Sequence, residues 1–388
     1  MFSKRTDWKL TPNRFTEALN RVKSSGVELF DLSASNPTRV GLSYDADTVL
    51  ASLARPASMD YDPQPKGMLS ARQAVAQYYR DHEPIHVDPE NILLTTSTSE
   101  AYSYVFRLLC NPDDEILVPK PSYPLFEFLA DLQDVKLVPY PLLYDDGWQI
   151  DFPSLYGNIS HRTKALIVVH PNNPTGSYAS TQEVEGLNSV CREFNIALLV
   201  DEVFLDYAFD GIPRTSFVSN HAALTFTLSG LSKISALPQM KVAWLVASGP
   251  KEQVSSAISR LEIIADTFLS MNAPLQLATP LLLEQRTSVQ ATLVDRLRFN
   301  LSELDRQLLK QTACRKLEAD GGWYAVLRVP VVQTDEELAV DLLEKCSVVV
   351  HPGHFYDFSR DGYLVLSLIT PPQEFREGVR RLLSHVYP

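Results

Sequence analysis

Between about residue 68 and residue 250, short apolar, β-branched runs alternate with longer segments of helical period, and few folds accommodate that alternation. Runs at 92–96, 115–119, 135–139, 164–170, 196–201, 224–228 and 242–247 are predicted strands, and segments such as 100–110 and 181–194 are predicted helices. Such a chain folds as an α/β layer with a mainly parallel sheet. Ligands of such sheets bind beyond the carboxyl ends of the strands. Four polar stretches fall at those ends: Thr96-Ser97-Thr98-Ser99, His170-Pro171-Asn172-Asn173-Pro174-Thr175-Gly176, Asp201-Glu202-Val203-Phe204, and Ser232-Lys233.

After Gly249-Pro250 the pattern is helical through Lys310. A strand at 321–327, a helix at 335–346 and strands at 348–350 and 363–369 follow, which describes a smaller α+β domain reached through a long helix. The chain is expected to divide into an N-terminal arm with part of the small domain (1–45), a large domain (46–284) and a small C-terminal domain (285–388). No internal repeat or low-complexity tract interrupts this plan.

With 388 residues, 45% of them hydrophobic, the chain has ample material for a large core. A net charge of −12 argues against nonspecific binding to nucleic acid or anionic membranes. Cys110, Cys191, Cys314 and Cys346 are widely spaced with no C-x-x-C pair, so buried reduced thiols are expected and no metal site. The N-terminus lacks the apolar core of a signal peptide, and no apolar run approaches the ~20 residues that span a bilayer. A soluble cytoplasmic protein is the expectation.

The four strand-end stretches, in this order along one chain, resemble the fold-type I aminotransferases of class I/II, which depend on pyridoxal 5′-phosphate (PLP). Ser35-Asn36-Pro37 and the Gly-Leu-Ser-Lys string at 230–233 are similar to alanine aminotransferase-like members. The resemblance implies the fold, a mainly parallel sheet with helices on both faces plus a smaller α+β domain, and the site. Lys233 becomes the Schiff-base amine, next to Ser232. Ser97 and Thr98 hold the phosphate at a helix N-terminus, although such a run also reads as an N-cap. Asp201 faces the pyridine nitrogen and keeps it protonated, although it also reads as a helix cap. Asn173, in N-P-T-G, donates to the ring oxygen or builds a turn. Tyr123 stacks on the ring, and Tyr61 reaches the phosphate of a neighbouring subunit, which implies a homodimer.

Four positions depart from the family pattern. Phe204 replaces a tyrosine whose hydroxyl bonds the ring oxygen. Gly230 replaces a frequent Ser or Thr, and Lys241 replaces an arginine on the phosphate, without its planar fork. Val365 stands where an arginine clamps the substrate carboxylate, so either another cation substitutes or the substrate presents something else there; Arg39, with Ser35 and Asn36 beside it, and Arg360 are the available replacements, although each also reads as a surface arginine. The implied reaction moves an amino group between an amino acid and a 2-oxo acid. A β-lyase or decarboxylase on the same scaffold is the alternative. A noncatalytic sensor would need an added N-terminal DNA-binding module, and this chain starts directly with the arm.

Overall fold

The computed structural model describes residues 1–82, 85–124 and 126–386. In chain order its strands are β1 (Phe30–Asp31), β2 (Ile92–Thr95), β3 (Glu115–Lys120), β4 (Lys136–Tyr144), β5 (Trp148–Ile150), β6 (Thr163–Val169) and β7 (Ala197–Asp201). They continue as β8 (Thr225–Gly230), β9 (Ala243–Ser248), β10 (Arg315–Lys316), β11 (Tyr324–Arg328), β12 (Val348–Val349), β13 (His351–Pro352) and β14 (Tyr363–Ser367). The large sheet runs β2-β9-β8-β7-β6-β3-β4-β5. Its centre, from β8 through β4, is parallel, while β9 is antiparallel to both neighbours. Consequently β2, β3, β6, β7 and β8 all end at one edge, and the four polar stretches emerge there.

Every residue of β7 and β8 is buried, because helices cover both faces of a parallel sheet. Alternate residues serve opposite cores. Ala165, Ile167, Leu199 and Phe226 pack with the helices Thr98–Leu109 and Lys251–Phe268. Leu166, Val168, Leu198 and Val200 pack with Leu187 and Val190 of the helix Thr181–Phe194.

The C-terminal sheet, order β10-β11-β14-β13, is wholly antiparallel. Phe15, Ala18 and Leu32 join its core with Leu342, Leu366 and Phe375, and β1 pairs in parallel with β12. The N-terminal segment therefore packs on the C-terminal sheet. On these contacts we propose the division at residues 45 and 284.

Three expected strand limits are corrected. The run at 135–139 extends to Tyr144 and turns back as β5. Pro139 and Pro141 are tolerated because their carbonyls accept from Asn158 and Asp151 on the side away from β3, so their missing N–H groups take no bond from the β3 ladder. The 321–327 run is regular only from Tyr324, because Gly322 turns at φ +87° and donates to the Tyr207 carbonyl. The 348–350 run ends at Val349 as β12 on β1, and a separate strand, β13 at His351–Pro352, pairs with β14. No helix among the described residues is long and apolar enough to cross a membrane.

Candidate active site

Lys233 lies in the helix Leu231–Ile234, directly after β8. The residue is only half-buried, yet its Nζ lies 4.8 Å from the Trp323 ring centre and 5.4 Å from that of Phe204. Aromatic faces attract the ammonium but solvate it less than water does. Desolvation lowers Lys233 from 10.5 to about 8, against the opposing pull of Asp201. No carboxylate lies within ion-pair distance of it among the described residues.

Asp201 closes β7 and is 9% exposed. Burial raises its carboxyl from 3.8 to about 6, although Val203 N–H at 3.1 Å, the Tyr102 hydroxyl at 3.2 Å and Lys233 all favour its anion. One strand end thus holds a carboxylate short of positive charge, and the next holds an amine displaced toward neutrality. Opposed shifts of this kind mark a reactive site.

At the end of β2, Ser97 caps the helix Thr98–Leu109, its side chain accepting from Glu100 N–H at 3.2 Å. By helix geometry the first-turn N–H groups of Thr98 and Ser99 have no intrahelical acceptor, which makes this an anion-binding end. Glu100 is itself engaged by the Thr96 N–H (2.7 Å), the Thr96 hydroxyl (3.0 Å) and the Ser270 hydroxyl (2.9 Å). Ser97 has φ −163°, extended backbone open to any residue, so a glycine is not needed there. At Gly230 one is: an added Cβ would sit 2.9 Å from both the Val242 carbonyl oxygen and the Ala243 Cβ. Ser232 is half-buried, and Lys241 is exposed in a left-handed conformation at φ 49°.

Asn173 is 7% exposed with its Oδ1 buried and unpartnered, and the Ser122 hydroxyl is likewise unpartnered. Phe204 packs against Trp323 and Tyr324 at 5.3 and 6.2 Å. Tyr123 is 40% exposed, and its hydroxyl is raised by burial and by Asp201.

Most of the remaining expected residues lie on the surface. Tyr61 is 83% exposed, beside a cavity of about 440 Å³ also lined by Met59, Gln64, Ser270 and Gln276. Ser35, Asn36 and Arg39 are exposed. The Asn36 oxygen is taken by the N–H and hydroxyl of Thr38, at 3.0 and 2.8 Å. Arg360 donates to the Tyr363 hydroxyl at 3.2 Å. Val365 is 1% exposed and lies cross-strand from Val326 and His351. Among the described residues, Arg360 is engaged by the Tyr363 hydroxyl rather than by any group near Lys233.

Sequence reasoning missed Tyr102 and Trp323, and it gave His170, which opens one of the four strand-end stretches, no role. Tyr102, one turn into its helix and spaced with Phe106, reads as an ordinary core position. Trp323 carries a usable signal: two glycines before two large aromatics mark close backbone approach, and a Cβ on Gly321 would lie 2.5 Å from the Tyr207 carbonyl. His170 accepts at Nδ1 from Ala179 N–H (3.1 Å), and its Nε2 lies 3.0 Å from the Thr215 carbonyl. That pattern requires the neutral ring protonated on Nε2, and burial lowers its pKa to about 4.

The family model for aminotransferase class I and II matches residues 53–382. The chain is 28% identical over 370 residues to glutamate-pyruvate aminotransferase AlaA of Haemophilus influenzae, a match covering 91% of this chain and 89% of that one. It is 28% identical over 373 residues to an alanine aminotransferase of Mycobacterium tuberculosis, covering 93% and 86%. An alanine aminotransferase structure from Pyrococcus furiosus superposes with a TM-score of 0.90 at 21% identity, over 100% of this chain and 99% of that one. The fold is accordingly that of the fold-type I enzymes, and the chain is an aminotransferase belonging to the class I and II family.

Proposed function

We propose that Lys233 carries PLP and that the protein moves an amino group between a small amino acid and a 2-oxo acid. Alanine and glutamate are the donors to test first, after the names of the relatives. The observation that carries this reading is the Lys233–Asp201 arrangement. An amine at about 8 and a carboxylate at about 6 emerge from adjacent strand ends between aromatic walls. The residues fit the cofactor. Asp201 lacks the cationic nitrogen that would return its pKa toward the ordinary range, and the buried Asn173 amide has an unpartnered polar atom, its oxygen and nitrogen being interchangeable by a flip.

In this reading Ser97, Thr98 and Lys241 hold the phosphate, with Ser232 beside them. Asn173 would donate to the ring oxygen and Tyr123 would stack on the ring, while Phe204 has no hydroxyl to offer. PLP, when bound, supplies the electron sink for a substrate carbanion. Lys233, displaced toward neutrality, takes a proton from the substrate Cα and returns one as general base and acid. Tyr61, exposed in one chain, serves the partner subunit's phosphate in a homodimer. Arg39, beside Ser35 and Asn36, holds the substrate carboxylate in place of Val365. Four unpaired thiols suit the reducing cytoplasm.

The test is single-turnover mixing of PLP-loaded protein with a panel of amino acids and no oxo acid. Transamination converts the starting absorbance band to that of pyridoxamine phosphate and releases one oxo acid per site. Continuous release of pyruvate and ammonia would overturn the reading in favour of a lyase.

A further inference from the structure

The helix that carries Lys233, Leu231–Ile234, has four residues and is too short to hold its geometry through its own hydrogen bonds. Side chains from three distant segments cap its carboxyl end instead. The Tyr207 hydroxyl donates to the Lys233 carbonyl at 2.7 Å, the Gln290 amide to the Ile234 carbonyl at 2.8 Å, and the Tyr44 hydroxyl to the Ala236 carbonyl at 2.8 Å. Tyr207 belongs to the turn Leu205–Tyr207 after β7, and Gln290 to the long helix Arg286–Leu308. Tyr44 precedes the helix Ala46–Leu53.

Gln290 is itself aimed. The same amide nitrogen donates to Asp206 Oδ2 at 2.5 Å. Asp206, 5% exposed, also accepts from the Tyr78 hydroxyl at 3.1 Å and lies 2.5 Å from His82 Nε2. His82 Nδ1 faces the Tyr78 carbonyl at 2.9 Å. Both ring nitrogens therefore meet acceptors, and only the doubly protonated imidazole satisfies both. The result is a buried ion pair behind the Lys233 turn, and its carboxylate orients the Gln290 amide.

We propose that Tyr207, Gln290 and Tyr44 are positioning residues that fix Lys233 relative to Asp201, with Gln290 oriented by the Asp206–His82 pair. The proposal rests on the reading that Lys233 carries the cofactor. Because Gln290 opens the helix that leads to the C-terminal sheet, the clamp also makes the register of Lys233 depend on how that helix sits. Displacements of about 1 Å at a reacting group can cost on the order of 100-fold in rate, so the clamp acts on turnover rather than on substrate affinity.

The test uses full-length, PLP-loaded Tyr207→Phe and Gln290→Met. The first removes one oxygen while the ring keeps its packing on Trp323, at 5.1 Å. Arg306→Met is the control. It lies further along the same helix as Gln290 and loses contacts to Glu303 at 2.9 and 2.6 Å, a residue outside the Asp206–His82 network. Tyr207→Phe and Gln290→Met should each lower kcat by about 10-fold or more with KM within about 2-fold. The pH midpoint of the bound cofactor's absorbance should shift by about half a unit or more. Arg306→Met should leave both at wild-type values. Wild-type kcat and midpoint in Tyr207→Phe would overturn the clamp by itself, even where Gln290→Met does not fold. An equal loss in Arg306→Met would overturn it too. Borohydride labelling separates the two levels. Wild type labelled on Lys233 with unaffected variants refutes only the clamp, whereas wild type without that label refutes the functional reading and the clamp with it.

Discussion

Around Lys233 several polar groups have a second residue behind them: Tyr102 and Val203 on Asp201, Tyr207 on the Lys233 carbonyl, and Gln290 on Ile234, itself held by Asp206, which His82 meets in turn. Around Tyr61 the opposite holds. Tyr61 and Met59 are 83% and 89% exposed, and Arg39 and Lys241 lie open to solvent. The contrast separates groups whose geometry is set by burial within one chain from groups whose partners come from outside it, namely substrate, phosphate or a second subunit. Substitutions in the first region should therefore act on turnover and stability, and those in the second on affinity and assembly.

The largest effect expected is from Lys233→Ala, which removes the proton-transfer group and should cost about 10⁴-fold or more in kcat. Residual turnover near wild type would break the comparison at its root. Asp201→Asn should retain PLP but lose about 10²-fold or more in kcat, since an amide cannot hold a pyridinium proton.

That same change tests the interior electrostatics without the cofactor. The Asp201 carboxyl is raised by burial from 3.8 to about 6. It binds its proton more tightly in the folded state, so its contribution is present below about pH 4 and lost as pH rises through 6. Lys233 is lowered to about 8, so its contribution is present at high pH and lost as pH falls through 8. Between pH 6 and 8 both groups are charged and poorly solvated. Asp201→Asn should then raise the Tm of cofactor-free protein in that window, by about 1–2 kcal/mol of stability. A lower Tm would mean that Asp201 is chiefly a structural cap.

Gly230→Ser sharpens the comparison from the packing side. A side chain there meets the Val242 carbonyl and Ala243 within about 3 Å, so destabilisation of about 1–3 kcal/mol is expected, read as a lower denaturant midpoint. Unchanged stability would show that a hydroxyl fits where the sheet looks closed. At the rim, Arg39→Ala should lower kcat/KM by about 10-fold, mainly through KM. No change would move carboxylate recognition elsewhere, with His351, cross-strand from Val365, the next residue to replace. The smallest effect should come from Tyr61→Phe, which loses one hydrogen bond of about 1 kcal/mol. It should weaken PLP affinity by roughly 5-fold in a protein that sediments as a dimer. A fully active monomer would remove Tyr61 from the site.

Much of the interior was legible before the fold was known. Strand-end position singled out Lys233, Asp201, Asn173 and the Ser97-Thr98 turn as candidates, because β-branched runs mark parallel strands, and all of them lie at or just beyond the ends of β8, β7, β6 and β2. The helix Thr181–Phe194 matches its predicted span to the residue. What escaped was the second layer. Tyr102 reaches Asp201 across 99 residues and Tyr78 reaches Asp206 across 128, and the spacing of these residues, like that of Trp323 and Gln290, marks them only as core. The extension of β4 beyond Pro139 escaped because a sequence does not announce which side of a strand stays unpaired. At the surface, the family resemblance suggested Tyr61 and Arg39, but exposure within one chain leaves their partners to experiment.

The account depends most on Lys233 as the point of cofactor attachment. Borohydride reduction of PLP-saturated protein, followed by peptide mapping, should place the phosphopyridoxyl mass on the peptide that contains Lys233, at one label per chain. Label on another lysine, or none at saturation, would contradict it.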